Sequence, residues 1–274
     1  MRQLVPVTTL NLPELEPYRS LRETTHHWRR GFFVAESEKV VRRLIESSVE
    51  IASILLSATW HDALAQALSG PRFAETDVFV APDHLLEGIT GINLHKKIMA
   101  IGRIPENPTF DSYAQSASGG GVHVALEGIA DAENMGAIIR TCAAFGVRSL
   151  LTGTDSSSPW LRRSVRVSMG AIFGLRSFRA GNICDTLDRL RREHDWRVIG
   201  TTPRGGVTTL DGEGHGGQPL CLFFGSEGHG LSERAFASCD QRFSIPMAGD
   251  VDSLNVAIAV AVALYEATRR VSAA

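Results

Sequence analysis

Three segments of this 274-residue chain place polar side chains where an apolar, strand-like run gives way to a helix. In open α/β sheets that is where ligands bind. The first segment, Asp131 to Thr141, carries Asn134 in a helix N-cap context and Arg140 in an otherwise apolar helix. A guanidinium there meets an anion, snorkels outward or forms a structural ion pair. The second, Phe224 to Ser232, holds Glu227 among three glycines, with Ser232 as a helix cap. Its glycines let the backbone turn sharply and approach a ligand closely. A Glu buried in such a turn collects hydrogen bonds or pairs with a cation, whereas a solvated Glu in a tight turn is the plainer alternative. In the third, Ile245 to Asn255, Ser253 reads as the cap of a long apolar helix and Asn255 as a polar residue inside its first turn. A polar group entering a buried helix needs partners. These three segments are therefore the site candidates.

Other chemistries lack their signatures. The Walker lysine motif, GxSxG and HExxH are missing. Gly212-Glu-Gly-His-Gly-Gly217 matches GxGxxG in letters, but it precedes a strand and opens no helix, so it reads as a flexible loop. Cys142, Cys184, Cys221 and Cys239 stand at wide spacings without a CxxC pair, which argues for reduced thiols and against a metal site. Together with an N-terminus that lacks a signal-peptide pattern, this leads us to expect a cytoplasmic protein. The longest apolar run, Val256 to Tyr265, is half the ~20 residues that span a bilayer, so no membrane role is expected.

A formal charge of -2 excludes coating of nucleic acid by bulk charge, so any such binding must be local. Two places qualify. Arg19, Arg22, Arg29 and Arg30 interleave with Trp28, Phe32 and Phe33, as RNA-binding faces do. Residues 156 to 184 hold Arg162, Arg163, Arg166, Arg176 and Arg179 with no Lys and no acidic residue before Cys184. Arginine forks suit phosphate oxygens, while a row of solvated arginines is the alternative.

The elements that must position these residues fall into two modules. The stretch Arg103 to Gly121 contains two prolines, serines and three consecutive glycines, which places a linker at 113–120 between modules 1–112 and 121–274. In the first, helices are expected at Val40 to Ser47 and His61 to Leu68, with strands at Ile51 to Ser57, Val78 to Val80 and Ile98 to Ile101. In the second, strands Gly121 to Ile129, Arg148 to Gly153, Arg197 to Thr202, Pro219 to Gly225 and Arg242 to Pro246 alternate with helices near Asn134, at Thr186 to Asp195, from Leu231 and at Ser253 to Arg270. Such alternation implies an α/β fold with a mostly parallel sheet.

Taken in order, NMGAIIRTC, FGSEGHGLS and IPMAGDVDSLNVAIAVAVALYE resemble the three motifs of the SpoU/TrmH family of RNA ribose 2'-O-methyltransferases, within the SPOUT superfamily. RRSVRVSMGAIF is similar to the pattern between the first two. The N-terminal RSLRETTHHWRRGFFVAESEKVVRRLIES resembles the opening of an L30e-like substrate-binding domain, departing from its commoner form at Ala35 and at His95-Lys96-Lys97. The resemblance implies a C-terminal SPOUT domain with a trefoil knot, a homodimer, S-adenosyl-L-methionine as the only cofactor, no metal, and RNA as partner, rRNA ahead of tRNA. It implies Asn134, Arg140, Glu227, Ser253 and Asn255 as the catalytic set and the backbone around Thr201, Gly225, Ile245 and Leu254 as the cofactor pocket. A non-catalytic RNA-binding protein is the alternative from another class, and a full polar set of five argues against it.

Overall fold

The computed structural model describes residues 4–21, 24–90, 98–203, 205–210, 217–249 and 252–269. The chain divides into two compact units, Met1–Glu106 with Trp160–Phe173, and Asn107–Pro159 with Gly174–Ala274.

The first unit is built on strands β1 (Leu4–Pro6), β2 (Phe32–Glu36), β3 (Ile51–Leu56), β4 (Asp77–Val80) and β5 (Ile98–Arg103), with helices α1 (Glu16–Arg19), α2 (Thr24–Arg29), α3 (Glu38–Glu46), α4 (Ala58–Leu64) and α5 (Asp83–Thr90). Its mixed sheet runs β1-β4-β3-β5-β2, parallel across β1, β4 and β3 and antiparallel at both edges of β5. Helix α3 buries Val40, Val41, Leu44 and Ile45, a single stripe at helical spacing. Segment Trp160–Phe173 completes this unit, because the rings of Trp160 and Phe173 lie 5.0 and 5.4 Å from that of Phe33. Gly102 leaves room for the same ring, since a Cβ there would meet it at 2.2 Å.

The second unit holds β6 (Gly121–Leu126), β7 (Ser149–Thr152), β8 (Arg176–Arg179), β9 (Arg197–Thr201), β10 (Pro219–Phe224) and β11 (Gln241–Phe243). Its helices are α6 (Phe110–Ala117), α7 (Ala132–Ala144), α9 (Ile183–His194), α10 (Glu233–Ala237) and α11 (Val256–Thr268), while the intervening α8 (Arg162–Val167) belongs to the first unit. All six strands are parallel, in the order β11-β9-β10-β6-β7-β8. Every residue of β10 is buried, as an unbroken apolar run covered on both faces requires. The core gathers Ala125, Leu151, Phe178, Leu187, Trp196 and Phe223. Beneath it Tyr113 Oη and His123 Nδ1 meet Ser149 Oγ at 2.6 and 2.7 Å.

The expected α/β class and parallel sheet are found, and two expectations need correction. The proposed linker 113–120 lies largely on α6, which Thr109 caps from its side chain and which buries Tyr113, Ala114 and Ala117. Small residues hid its apolar face. The boundaries 1–112 and 121–274 also give way, since residues 160–173 pack in the first unit. Part of the cationic row is an edge strand, β8, with only Phe178 turned inward. Arg22, the departure at 95–97 and most of the Gly212 loop lie outside the described residues.

Candidate active site

The site is assembled by loops leaving the carboxyl ends of β6, β9, β10 and β11. The β6 loop enters α7 through Asp131, whose carboxylate accepts from the Glu133 N–H at 2.7 Å. Asp131, not Asn134, is therefore the cap. Asn134 lies one turn inside the helix with its amide free to reach sideways. The β10 loop closes on itself through paired Ser226 and Gly230 backbone bonds of 3.1 and 2.8 Å, which leaves Glu227 at its exposed tip. Gly225 is dictated by this closure, because a Cβ there would stand 2.0 Å from the Gly230 carbonyl carbon. Its role is close approach of backbone to backbone.

Helix α11 is capped by Asn255, whose Oδ1 accepts from the Ala257 and Ile258 N–H groups at 3.0 and 3.4 Å. Ser253, expected as the cap, lies two residues outside. Asn255 spends its other end on the site. Its Nδ2 donates to Glu227 Oε1 at 2.6 Å and to Asn134 Oδ1 at 3.1 Å, and Asn134 Nδ2 donates to the same Glu227 oxygen at 2.8 Å. Asn134 on α7, Glu227 on the β10 loop and Asn255 at the start of α11 thus form one closed network. Glu227 Oε1 is doubly occupied, while Oε2 has no partner among the described residues. The network is open to solvent, so of the two readings of Glu227 the exposed position is found, with the carboxylate nonetheless held by two amides.

Next to this network lies a cavity of about 360 Å³, within the ~300–1,000 Å³ typical of small-ligand sites. Thr201, Gly225, Ile245 and Leu254, all expected at a cofactor pocket, line it, as do Glu227 and Ser253. Phe224, Phe236 and Phe243 supply its apolar walls. Thr201 Oγ1 donates to the Phe223 carbonyl at 3.1 Å, which ties β9 to β10 at its mouth.

Arg140 is exposed on α7 and has no hydrogen-bond or ion-pair partner among the described residues. The structural ion pair weighed for it is not formed. It does not join the Asn134–Glu227–Asn255 network.

The basic residues divide. Arg30 pairs with Glu16 at 2.9 Å on the surface, Arg19 reaches the Leu12 carbonyl at 3.5 Å, and Arg29 is exposed. Arg163 and Arg166 are exposed on α8. Arg162 differs, since its Nε and Nη2 hold Glu36 at 3.0 and 2.5 Å with both side chains largely buried. That fork is used inside the first unit and is not offered to phosphate. Arg176 Nη1 donates to the Ser116 carbonyl and Arg179 Nη2 to that of Thr154.

Sequence reasoning passed over Glu127, the residue after β6, whose carboxylate receives both donors of Ser232 at 2.9 Å. The available signal was an acidic residue at a strand's carboxyl end in the same sheet as a serine cap. Among the described residues, no cluster of His, Cys, Asp and Glu suits a metal, and no helix is long and apolar enough to cross a membrane.

Comparison with known proteins agrees with this geometry. Residues 121–265 match the model of the SpoU rRNA Methylase family. An uncharacterized tRNA/rRNA methyltransferase of Mycobacterium tuberculosis is 31% identical over 266 residues, covering 94% of this chain and 89% of its own. The 23S rRNA (guanosine-2'-O-)-methyltransferase RlmB of Pasteurella multocida is 37% identical over 145 residues, 53% of this chain and 58% of its own. Among solved structures, the AdoMet-bound rRNA methyltransferase from Sinorhizobium meliloti superposes with a TM-score of 0.83 at 26% identity, covering 96% of this chain and 97% of that one. With its three motifs at the strand ends of one parallel sheet and residues 121–265 matched by the family's model, the chain belongs to the SpoU rRNA methylase family of RNA methyltransferases.

Proposed function

We propose that the protein methylates a ribose 2'-hydroxyl in structured RNA, rRNA ahead of tRNA, with S-adenosyl-L-methionine as donor and no metal. The observation that carries this reading is the Asn134–Glu227–Asn255 network at the rim of the 360 Å³ cavity. The cavity suits the donor, because phenylalanine walls accept a purine and the backbone at the strand ends offers its amides and carbonyls. S-adenosylmethionine, when bound, supplies an electrophilic methyl group.

This chain's residues handle the nucleophile. A ribose hydroxyl is a poor nucleophile at neutral pH, so its proton must be accepted or its developing charge stabilised. Arg140 supplies the charge, since a guanidinium stays protonated and its fork suits an alkoxide beside a phosphate. Glu227 Oε2 is the acceptor the network leaves open, and Asn134 and Asn255 hold its carboxylate in place. Ser253, on the cavity wall, orients the ribose or the donor. Support for RNA comes from the Mycobacterium tuberculosis relative, named for tRNA and rRNA, and from RlmB, which acts on 23S rRNA. Arg19, Arg29 and Arg30, with Arg163 and Arg166, furnish the local positive charge for phosphate.

The working form is a homodimer in the cytoplasm. Its seam is α11, where Ile258, Val262 and Tyr265 are 54, 38 and 58% exposed at i, i+4 and i+7, an apolar stripe on the solvent side.

Ribose methylation mapped over total RNA, with and without the protein, tests the reading and names the nucleotide. Arg140→Ala is expected to bind S-adenosylmethionine normally and lose turnover by orders of magnitude, and Arg140→Lys to fail as well, because a point charge lacks the fork. A wild-type protein that binds RNA but not S-adenosylmethionine would establish the non-catalytic alternative. A methyl mark confined to tRNA would move the substrate.

A further inference from the structure

We infer that Glu127 is a positioning residue for the methyltransferase site, acting as a staple across the base of the loop that presents Glu227. The inference rests on the reading of Glu227 given above. Glu127 follows β6 directly, and its backbone N–H donates to the Phe224 carbonyl at 2.9 Å, fixing the chain just before Gly225. Its carboxylate fixes the other end. Oε2 accepts from the Ser232 N–H at 2.9 Å and Oε1 from the Ser232 hydroxyl at 2.9 Å. The hydroxyl in turn accepts from the Ala235 N–H at 3.1 Å and so caps α10. One residue thus grips both feet of the loop, and the Ser226–Gly230 pairing only closes what Glu127 has anchored.

A carboxylate is the group this task requires. Ser232 presents two donors side by side, and only a carboxylate offers two acceptors in a matching fork without a donor of its own. Glutamine keeps one acceptor and must turn its NH₂ toward the hydroxyl, which can still accept. Alanine keeps none. Glu127 itself does not line the cavity, whereas Glu227 and Leu231, inside the stapled segment, do. Its influence therefore runs through the loop.

The test uses full-length protein and the variants Glu127→Ala, Glu127→Gln, Ser232→Ala and the Glu127→Ala/Ser232→Ala double. Amide hydrogen exchange of the Gly225–Leu231 segment is followed without ligand, S-adenosylhomocysteine binding by calorimetry, and RNA affinity by titration. Glu127→Ala should speed exchange in the segment and weaken S-adenosylhomocysteine about tenfold, as for loss of one to two charge-assisted hydrogen bonds in a wet site. RNA affinity should stay unchanged, and Glu127→Gln should fall between alanine and wild type. The double variant should be no worse than the poorer single one, since both remove the same link. Exchange and binding within twofold of wild type in Glu127→Ala would overturn the inference, as would strict additivity in the double variant. If Glu127→Ala does not fold, Glu127→Gln decides by the same criteria. Wild-type protein that fails to bind S-adenosylhomocysteine would refute the proposed function, while the exchange data would still decide the staple.

Discussion

Asn255 does two things at once, and substitution can separate them. Its Oδ1 caps α11 while its Nδ2 donates to Glu227 and Asn134. Aspartate is as good a cap as asparagine, whereas alanine costs about 1 kcal/mol of stability at such a position. Asn255→Asp should therefore leave the melting temperature near wild type, and Asn255→Ala should lower it. At the site the order reverses. Aspartate would set a carboxylate oxygen where the amide nitrogen stands, 2.6 Å from Glu227 Oε1. Two unit charges at that distance repel by about 2 kcal/mol in a dielectric of 80 and about 6 at 20, and the exposed position favours the lower end. The pair can escape by sharing a proton, so one carboxyl pKa rises. Asn255→Asp should lose turnover at neutral pH by tenfold or more and recover part of it as pH falls, while Asn255→Ala should show no such recovery. Single-turnover methyl transfer on total rRNA, run against pH beside thermal unfolding, measures both effects. Asn255→Asp with wild-type turnover at pH 7.5 would refute the idea that the amide network holds Glu227 in its working geometry.

Arg162→Ala strands Glu36, a largely buried carboxylate, and should destabilise the first unit by about 2–3 kcal/mol, short of the ~3–5 for a fully buried pair; a urea midpoint unchanged from wild type would show the pair to be idle. His123, fully buried against Trp196 at 4.2 Å, has its pKa pushed down to about 4 by burial, with Arg148 adding to the effect. The unfolded chain binds that proton from about pH 6.5 downward, so stability is full above pH 6.5 and lost as pH falls towards 4, by up to ~3 kcal/mol; a His123→Asn variant should lose this slope, seen in unfolding curves taken at pH 4.5 and 7. If the proposed dimer forms through α11, wild-type protein should sediment as a dimer at micromolar concentration and Tyr265→Glu, on the exposed stripe, as a monomer; a monomeric wild type would refute the dimer and a dimeric variant would move its seam elsewhere.

What could be read from the residues follows from how many constraints each one answers. Strand β10 was legible because a strand buried on both faces must be apolar throughout, and PLCLFF is. Glycines and strand ends marked the loops around the cavity, whereas Thr201, Ile245 and Leu254 on its wall were pointed to only by the family resemblance. The cap of α11 was misread because Ser253 and Asn255 are both good caps, and only the site partners of Asn255 fix the choice. Helix α6 escaped notice because a stripe of one Tyr and two Ala looks like linker until it packs. Arg162 looked like its exposed neighbours, since one arginine in a row differs from the next only through a carboxylate far away in sequence.

That distance governs how the protein is made. Glu36 finds its arginine 126 residues later, and Phe33 waits for Trp160 and Phe173. At ~5–20 residues per second of synthesis, the lag from Glu36 to Arg162 is on the order of 6–25 s. During it the first sheet's Glu36 has no Arg162 and Phe33 no Trp160 or Phe173, while β6 and β7 of the second unit are made before that cover arrives. The first unit is thus begun first yet stays incomplete until residue 173 is made, by which point β6 and β7 of the second unit are already synthesised.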